Sequence, residues 1–433
     1  DSVIYWAKEY HIDGFRFDLM GLHDIETLKE IRKELDKIDK TIIMYGEGWN
    51  GGPSPLPEEK AALKKNTVKY GNLQIAAFSD DVRDGVKGHV FYEDKPGFVN
   101  GAKDMEETIK FAVVASTKHP EVNYSKINYS DEPWANEPYQ TVTYASAHDN
   151  YTLFDKLQVV NKDATISELK RMNKLIASII LTSQGIAFMH AGEEFARTKV
   201  KEDGTLDENS HKSPDSVNKL DWKRKEEFID IFNYYKGLIK LRKTHKGFRM
   251  DRTIDIVNNI KFLSKGESFS NDNIVAYTIN SAAVGDTWNE IAVIFNANNE
   301  DVQVKLPSKG WSLVVDNNVA GVEEIKFIDE NGQKQAKKRV FDMHRSQRLH
   351  WINHHIHERI PENIEIFSVI ERDTNKRQDI TKTYIYDTKE KYVIVLECHR
   401  KGGYFLLTAY YLNRPYAEKG MKKKMKKRLK EVI

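Results

Sequence analysis

Two hydrophobic periods divide this chain. Ile25, Leu28, Ile31 and Leu35 recur at three- and four-residue steps behind Asp24. That spacing predicts a helix face, with Asp24 as its N-cap. Residues 2–10, 104–117, 169–183 and 226–243 carry further helical patterns. Between them lie short apolar or β-branched runs at 14–18, 41–45, 141–146 and 186–189, which predict strands. Residues 50–100, rich in Gly, Pro, Asn and Asp, read as a long loop region. Polar residues follow each strand: Asp18, then Gly46-Glu47-Gly48-Trp49, then Ala147-His148-Asp149-Asn150, then His190-Ala191-Gly192-Glu193-Glu194. Strand, loop and helix in repetition, with chemistry at the strands' C-terminal ends, is the pattern of an α/β chain built as a β/α barrel. An open doubly wound sheet shares that alternation. No G-x-G-x-x-G or Walker loop favours a nucleotide site there.

From about residue 247 the period changes to two. Val275, Tyr277 and Ile279, then Ile291, Val293 and Phe295, then Val302, Val304 and Leu306 alternate between turn residues. This predicts a small antiparallel β-sandwich domain ending near residue 327. Beyond it, 349–359 reads as a helix, 383–386, 392–396 and 404–407 as strands, and 415–432 as a basic helix or tail. The expected organisation is therefore barrel over 1–246, β-domain over 247–327 and a basic α+β module over 328–433.

Length and charge refine this picture. The 433 residues allow two or three domains. The lone Cys398 excludes an intramolecular disulfide framework. No run of about 18 apolar residues predicts a membrane span. The net charge of +2 conceals an asymmetry. Residues 331–433 hold 24 Lys and Arg against 12 Asp and Glu, and six of the 14 histidines. A basic module suggests an anionic partner, although a solvated basic tail is common.

Asp18, Glu47 and Asp149 carry the chemistry, since a barrel brings all three to one rim. Glycoside hydrolysis needs one carboxyl to assist leaving-group departure and another to attack the anomeric carbon. Arg16, two residues before Asp18, shares its strand face and would keep that carboxyl ionised. The glycines around Glu47 would let a sugar approach, Trp49 could stack on it, and His148 and Asp149 could bind its hydroxyls. Taken singly, an acid at a strand end is usually a cap, an Arg near an Asp an ordinary ion pair, and a Trp after a glycine loop packing. The ordered set lifts the functional reading.

Gly14-Phe15-Arg16-Phe17-Asp18, Gly46-Glu47-Gly48-Trp49 and Tyr144-Ala145-Ser146-Ala147-His148-Asp149-Asn150 resemble three ordered signatures of the α-amylase superfamily. The stretch from Asn209-Ser210-His211 through Asn218, closed by Leu220-Asp221-Trp222, is similar to type I pullulanases, as is Gly192-Glu193-Glu194-Phe195. The resemblance covers roughly residues 1–327. It implies a retaining hydrolase of α-1,6-glucosidic linkages in pullulan and branched α-glucans. Asp18 then matches the nucleophile, Glu47 the acid/base and Asp149 the transition-state stabiliser. Arg16 and His148 match supporting residues of the same subsite. Trp49, Asn218 and Asp215 match substrate-side or loop-positioning residues. No cofactor is implied. Calcium is frequent in related enzymes, but no compact acidic loop here identifies a site.

The chain also departs from that family. The Asp-x-x-x-x-Asn-His and Tyr-Asn-Trp-Gly-Tyr-type motifs are absent, and neither a signal peptide nor an initiator Met opens the sequence. The expectation is a partial (β/α)8 barrel, from about strand four onward, that is inactive or unstable alone. The tail resembles small phage-associated nucleases of the barnase/colicin/RelE-like group. That resemblance implies RNA as a partner of residues 328–433, with His344, His350, Arg400, Thr408 and Tyr410 lining a phosphate site. Thr408 and Tyr410 suit an ordinary strand equally well. His350, His354 and His357 could mimic a metal face on a helix, but no known metal signature matches and no metal is expected. A non-catalytic glucan-binding remnant is the third reading.

Overall fold

The computed structural model describes residues 1–316, 364–373, 378–389, 391–398, 404–412 and 415–430. The chain divides into two compact units, Asp1–Gly310 and Trp311–Ile433.

In the first unit, α1 (Ser2–Tyr10) ends at His11, whose left-handed φ of 52° breaks the helix. β1 (Gly14–Phe17) follows. The Asp24 side chain then accepts the Thr27 N–H at 2.8 Å and starts α2 (Ile25–Asp36), the N-cap that the sequence predicts. β2 (Ile43–Gly46), β3 (Ala76–Phe78) and α3 (Asp80–Lys87) come next. α4 (Glu106–Val113), β4 (Thr141–Thr143), α5 (Leu153–Val160) and α6 (Ile166–Thr182) continue the alternation. Thr165 and Glu168 close a reciprocal capping box at the start of α6. After β5 (Ile186–Ala187) come α7 (Asp215–Asn218), α8 (Lys223–Glu227), α9 (Ile229–Thr244) and α10 (Thr253–Asn259).

The five strands pair in chain order, β1-β2-β3-β4-β5, and every pair is parallel. A doubly wound sheet would reverse its strand order at a switch point. This one does not, so the arrangement is singly wound: a partial barrel. Ala76, Phe78, Val142 and Tyr144 pack together on one side of the sheet with Tyr45, Trp49 and Phe188. The Phe78 ring meets Tyr45, Tyr144 and Phe188 at centroid distances of 5.5, 4.8 and 5.3 Å. This aromatic floor lies directly beneath the strand ends that carry the acids.

β3 and α3 occupy the segment expected to be loop. Ala76-Ala77-Phe78 lacks a β-branched residue. Asp80-Asp81-Val82-Arg83-Asp84 reads as turn chemistry, yet the Ser79 side chain caps it as a helix.

β6 (Ile260–Phe262), β7 (Ile274–Ile279) and β8 (Ile291–Asn296) form an antiparallel sheet. Val275 faces Phe295, Tyr277 faces Val293 and Ile279 faces Ile291, so two of the three alternating runs pair as their period predicts. The third, Val302-Gln303-Val304-Lys305-Leu306, is not a strand. It is tied back by the Lys305 N–H to the Ser268 carbonyl at 2.7 Å. Alternation supplies a face, but a strand also needs a ladder.

The second unit is an antiparallel meander. β9 (Ile364–Asp373), β10 (Gln378–Asp387), β11 (Tyr392–Cys398) and β12 (Tyr404–Tyr411) pair in the order β12-β11-β10-β9, followed by α11 (Pro415–Met425). Phe367, Val369, Tyr384, Tyr386, Val393, Val395, Leu412 and Met421 form its core. The expected helix at 349–359 lies outside the described residues.

Candidate active site

Arg16 is the third residue of β1, and Asp18 is the first residue past its end. Glu47 follows the last residue of β2. One guanidinium joins the two acids: Arg16 Nη1 donates to Asp18 Oδ1 at 3.2 Å, and Nη2 donates to Glu47 Oε1 at 2.6 Å. The other Glu47 oxygen accepts the Leu19 N–H at 2.9 Å. Leu19 has a left-handed φ of 42°, a rare conformation for a leucine that accompanies this bond. The Asp18 side chain is 74% exposed and that of Glu47 only 8%. The pair is therefore asymmetric, with one carboxylate open at the rim and the other held from two sides.

The glycines beside Glu47 have a different cause from the one expected. A Cβ on Gly46 would lie 2.6 Å from the Phe17 carbonyl oxygen, and one on Gly48 would lie 2.6 Å from the Lys64 nitrogen. They permit close packing against the Phe17–Met20 segment and against Lys64.

Asp149 lies beyond β4, its Oδ1 at 3.4 Å from His148 Nε2, with both side chains more than half exposed. Ser146 anchors this loop by donating its hydroxyl to Glu193 Oε2 at 2.8 Å. A cleft brings Arg16, Glu47, Trp49, Asp149 and Asn150 together over Phe78 and Tyr144, with Arg83, Lys87, Phe91 and Ala147 completing its wall. Asp18 is not part of this lining and is joined to it by its bond to Arg16. Trp49 is half-buried, with the Arg83 guanidinium carbon 5.9 Å from its ring centroid.

His148, Asp215 and Asn218 are not part of the lining. The Asn218 side chain accepts from the Ser210 hydroxyl and donates to the Ser210 and Ser213 carbonyls at 2.8, 2.8 and 3.1 Å. It ties its own loop. Asp215 is exposed at the start of α7. His344, His350 and Arg400 lie outside the described residues, and of Thr408 and Tyr410 only the place in β12 is described.

The pattern reading missed Arg83 and Lys87, both on α3. Their signal is the same one used elsewhere, polar residues just past a strand, but β3 was not legible. Arg83 makes two bonds to Asp84, at 2.6 and 3.0 Å, and a third to the Tyr144 hydroxyl at 3.3 Å. Lys87 is 1% exposed. Burial, reinforced by Arg83, pulls its ammonium down to about 7, against the pull of Asp84 and Glu193. Burial likewise pushes Glu193 up to about 7, against hydrogen bonds from Ser146, Tyr235 and the His190 N–H. Burial, with Arg197 next to it, takes His190 down to about 3. Among the described residues no group of three His, Cys, Asp or Glu side chains could hold a metal ion, and no helix is long and apolar enough to cross a membrane.

Residues 256–319 match the family model described as the pullulanase all-beta domain. A pullulanase of Bacillus subtilis (strain 168) is 35% identical over 308 residues, 71% of this chain and 40% of that protein. A chloroplastic pullulanase of Arabidopsis thaliana is 30% identical over 263 residues, 51% of this chain and 26% of that one. Among solved structures, a Paenibacillus barengoltzii pullulanase in complex with maltohexaose and α-cyclodextrin matches with 42% identity and a TM-score of 0.61. That match covers 69% of this chain and 43% of the other. A Bacillus acidopullulyticus pullulanase matches with 37% identity and a TM-score of 0.63, over 71% and 35%. The chain thus spans less than half the length of these relatives. A singly wound parallel sheet with acids at its rim, seen with these likenesses, gives the chain a resemblance to glycoside hydrolases. Within that class its likeness is to the pullulanases, over part of their length.

Proposed function

We propose that this chain carries the reacting carboxylates of a retaining hydrolase of α-1,6-glucosidic linkages in pullulan and branched α-glucans. The observation that carries this reading is the single Arg16 guanidinium bonded to both Asp18 and Glu47. A retaining pair sits about 5–5.5 Å apart and an inverting pair about 6.5–9.5 Å. Two carboxylates sharing one guanidinium support the shorter separation. The exposed Asp18 attacks the anomeric carbon, while Glu47 gives its proton to the glycosidic oxygen as the C–O bond breaks. Glu47 then takes a proton from the water that releases the glycosyl-enzyme. Asp149, across the cleft, grips the sugar's hydroxyls as positive charge develops on the ring. Trp49 supplies a partly exposed indole beside them.

Maltotriose release from pullulan tests this. Asp18→Asn and Glu47→Gln should each lower it by about a thousandfold or more. Turnover that survives both substitutions unchanged overturns the assignment. Glucan binding without turnover is the second reading. It is favoured by the aromatic residues of the cleft, Trp49, Phe78, Phe91 and Tyr144, which suit a sugar ring without any reaction. Retention of pullulan by the chain with no maltotriose released would select it.

A further inference from the structure

Lys87 stands out among the groups around the cleft. It is the last residue of α3, lines the cleft wall, and has 1% of its surface exposed. The two other cations in the lining are both bonded, Arg16 to two carboxylates and Arg83 to Asp84 and Tyr144. Two other buried lysines nearby also have partners. Lys156 Nζ donates to the Tyr92 and Glu93 carbonyls at 2.7 and 2.9 Å, and Lys199 Nζ to the His148 carbonyl and the Ser210 hydroxyl at 3.0 and 2.6 Å. Lys87 Nζ has neither a hydrogen bond nor an ion pair among the described residues, although the Lys87 carbonyl accepts the Asn100 side-chain amide at 3.3 Å. A largely buried ammonium at a cleft wall without a partner is costly. A ligand in the cleft would supply the missing acceptor.

Resting on the glucan reading of this cleft, we infer that Lys87 is a substrate-binding residue whose Nζ donates to a hydroxyl oxygen of the bound glucan. An ammonium has three donors and no acceptor. A polyol, with two lone pairs on each hydroxyl, matches it without demanding a charge of its own. The groups around Lys87 make its protonation sensitive to occupancy. Arg83 and Asp84 lie on its own helix, Lys156 on α5, and Glu193 and His190 in the turn after β5. Arg16, Glu47 and Asp149 share the cleft. The free ammonium loses its proton near pH 7, since its value is lowered to about 7. A hydroxyl that accepts from the charged form raises that value again, so binding takes up protons near neutrality. Affinity is then highest below pH 7 and declines as pH rises.

The test is calorimetric titration of the full chain with maltotriose at pH 6–8, in buffers of differing ionisation enthalpy, with Lys87→Met and Lys87→Gln. The inference expects about a tenfold or greater loss of affinity at pH 6 in Lys87→Met. It expects a smaller loss in Lys87→Gln, which keeps a donor, and proton uptake near pH 7 in the wild type alone. Unchanged melting temperatures show that the variants fold. If Lys87→Met does not fold, the wild-type uptake decides, and its absence overturns the inference. Wild-type binding with both variants unaffected overturns the inference and leaves the glucan reading standing. No wild-type binding of maltotriose at millimolar concentration removes the glucan reading, and the inference falls with it.

Discussion

A buried charge has to be held by something, and around this cleft the holding groups can be named. Glu47 is held by Arg16 and by the Leu19 N–H. A lysine at position 16 has one point charge where arginine has a planar fork, so it cannot serve both acids in this geometry. Arg16→Lys should lower pullulan turnover by about a hundredfold, the scale of a reacting group misplaced by about 1 Å. Equal rates in the two proteins would show that the fork is not needed. Glu193 gives a pH signature. Its value is raised to about 7, above the usual range near 4.3, so the folded chain holds this proton more tightly than the unfolded chain. Its contribution to stability is fully present below the unfolded value. It is lost as pH climbs through the folded one, a window of roughly pH 4–7. Glu193→Gln removes the proton exchange. Urea unfolding of the variant should therefore show a gain over wild type that grows from pH 5 to pH 8. A constant difference across that range would assign the pH dependence elsewhere. Asp18, Glu47 and Asp149 were legible because each follows a recognisable strand. Lys87 and Arg83 were not, because the strand before them carries no β signal.

At the scale of elements, the same lesson concerns which part of a motif does what. Gly46 and Gly48 are as visible in the sequence as Glu47, but their role is set by chain neighbours that no spacing reveals. Gly46 meets Phe17 and Met20 across the β1–β2 junction, and Gly48 meets the backbone of Lys64. Gly46→Ala and Gly48→Ala should therefore destabilise the first unit by about 1–3 kcal/mol through overpacking. Gly52, with nothing within 4 Å of an added Cβ, should tolerate alanine to within about 0.5 kcal/mol. Denaturant melts in the absence of any glucan separate the two explanations. Glycines kept only for substrate would leave all three variants as stable as wild type. Capping was legible in part. Asp24 caps the helix that its position predicts, whereas the Thr165 cap lies before the helical pattern read from residue 169 and was not legible. Pairing was the least legible. The alternation at Val302, Val304 and Leu306 predicts a strand as well as the one at Val275, Tyr277 and Ile279 does. Only the second run has β6 and β8 on its two sides.

At the scale of the molecule, the chain divides into two compact units, Asp1–Gly310 and Trp311–Ile433, with the change of texture near residue 247 inside the first and the basic excess from residue 331 inside the second. Charge could mark a change of module but not the cores, because a core depends on which faces meet. In the second unit those faces are now explicit. Phe367 on β9 stacks on Tyr384 on β10 at a centroid distance of 5.3 Å with rings 8° apart. Val393 and Val395 on β11 and Met421 on α11 join them. The aromatic floor of the first unit, built on Phe78, Val142 and Tyr144, draws on none of these residues. Each unit thus has apolar surface of its own to bury, which is the requirement for cooperative unfolding as a unit. Calorimetry of the full chain should resolve two transitions, assigned by substitution. Val393 is fully buried, and Val393→Ala removes two methyl groups from its core, a cost of about 1–3 kcal/mol. It should lower one transition and leave the other in place. Gly46→Ala should do the converse. If either substitution moved both transitions together, the two cores would be unfolding as one, and the boundary near Gly310 would be a division of geometry without a division of stability.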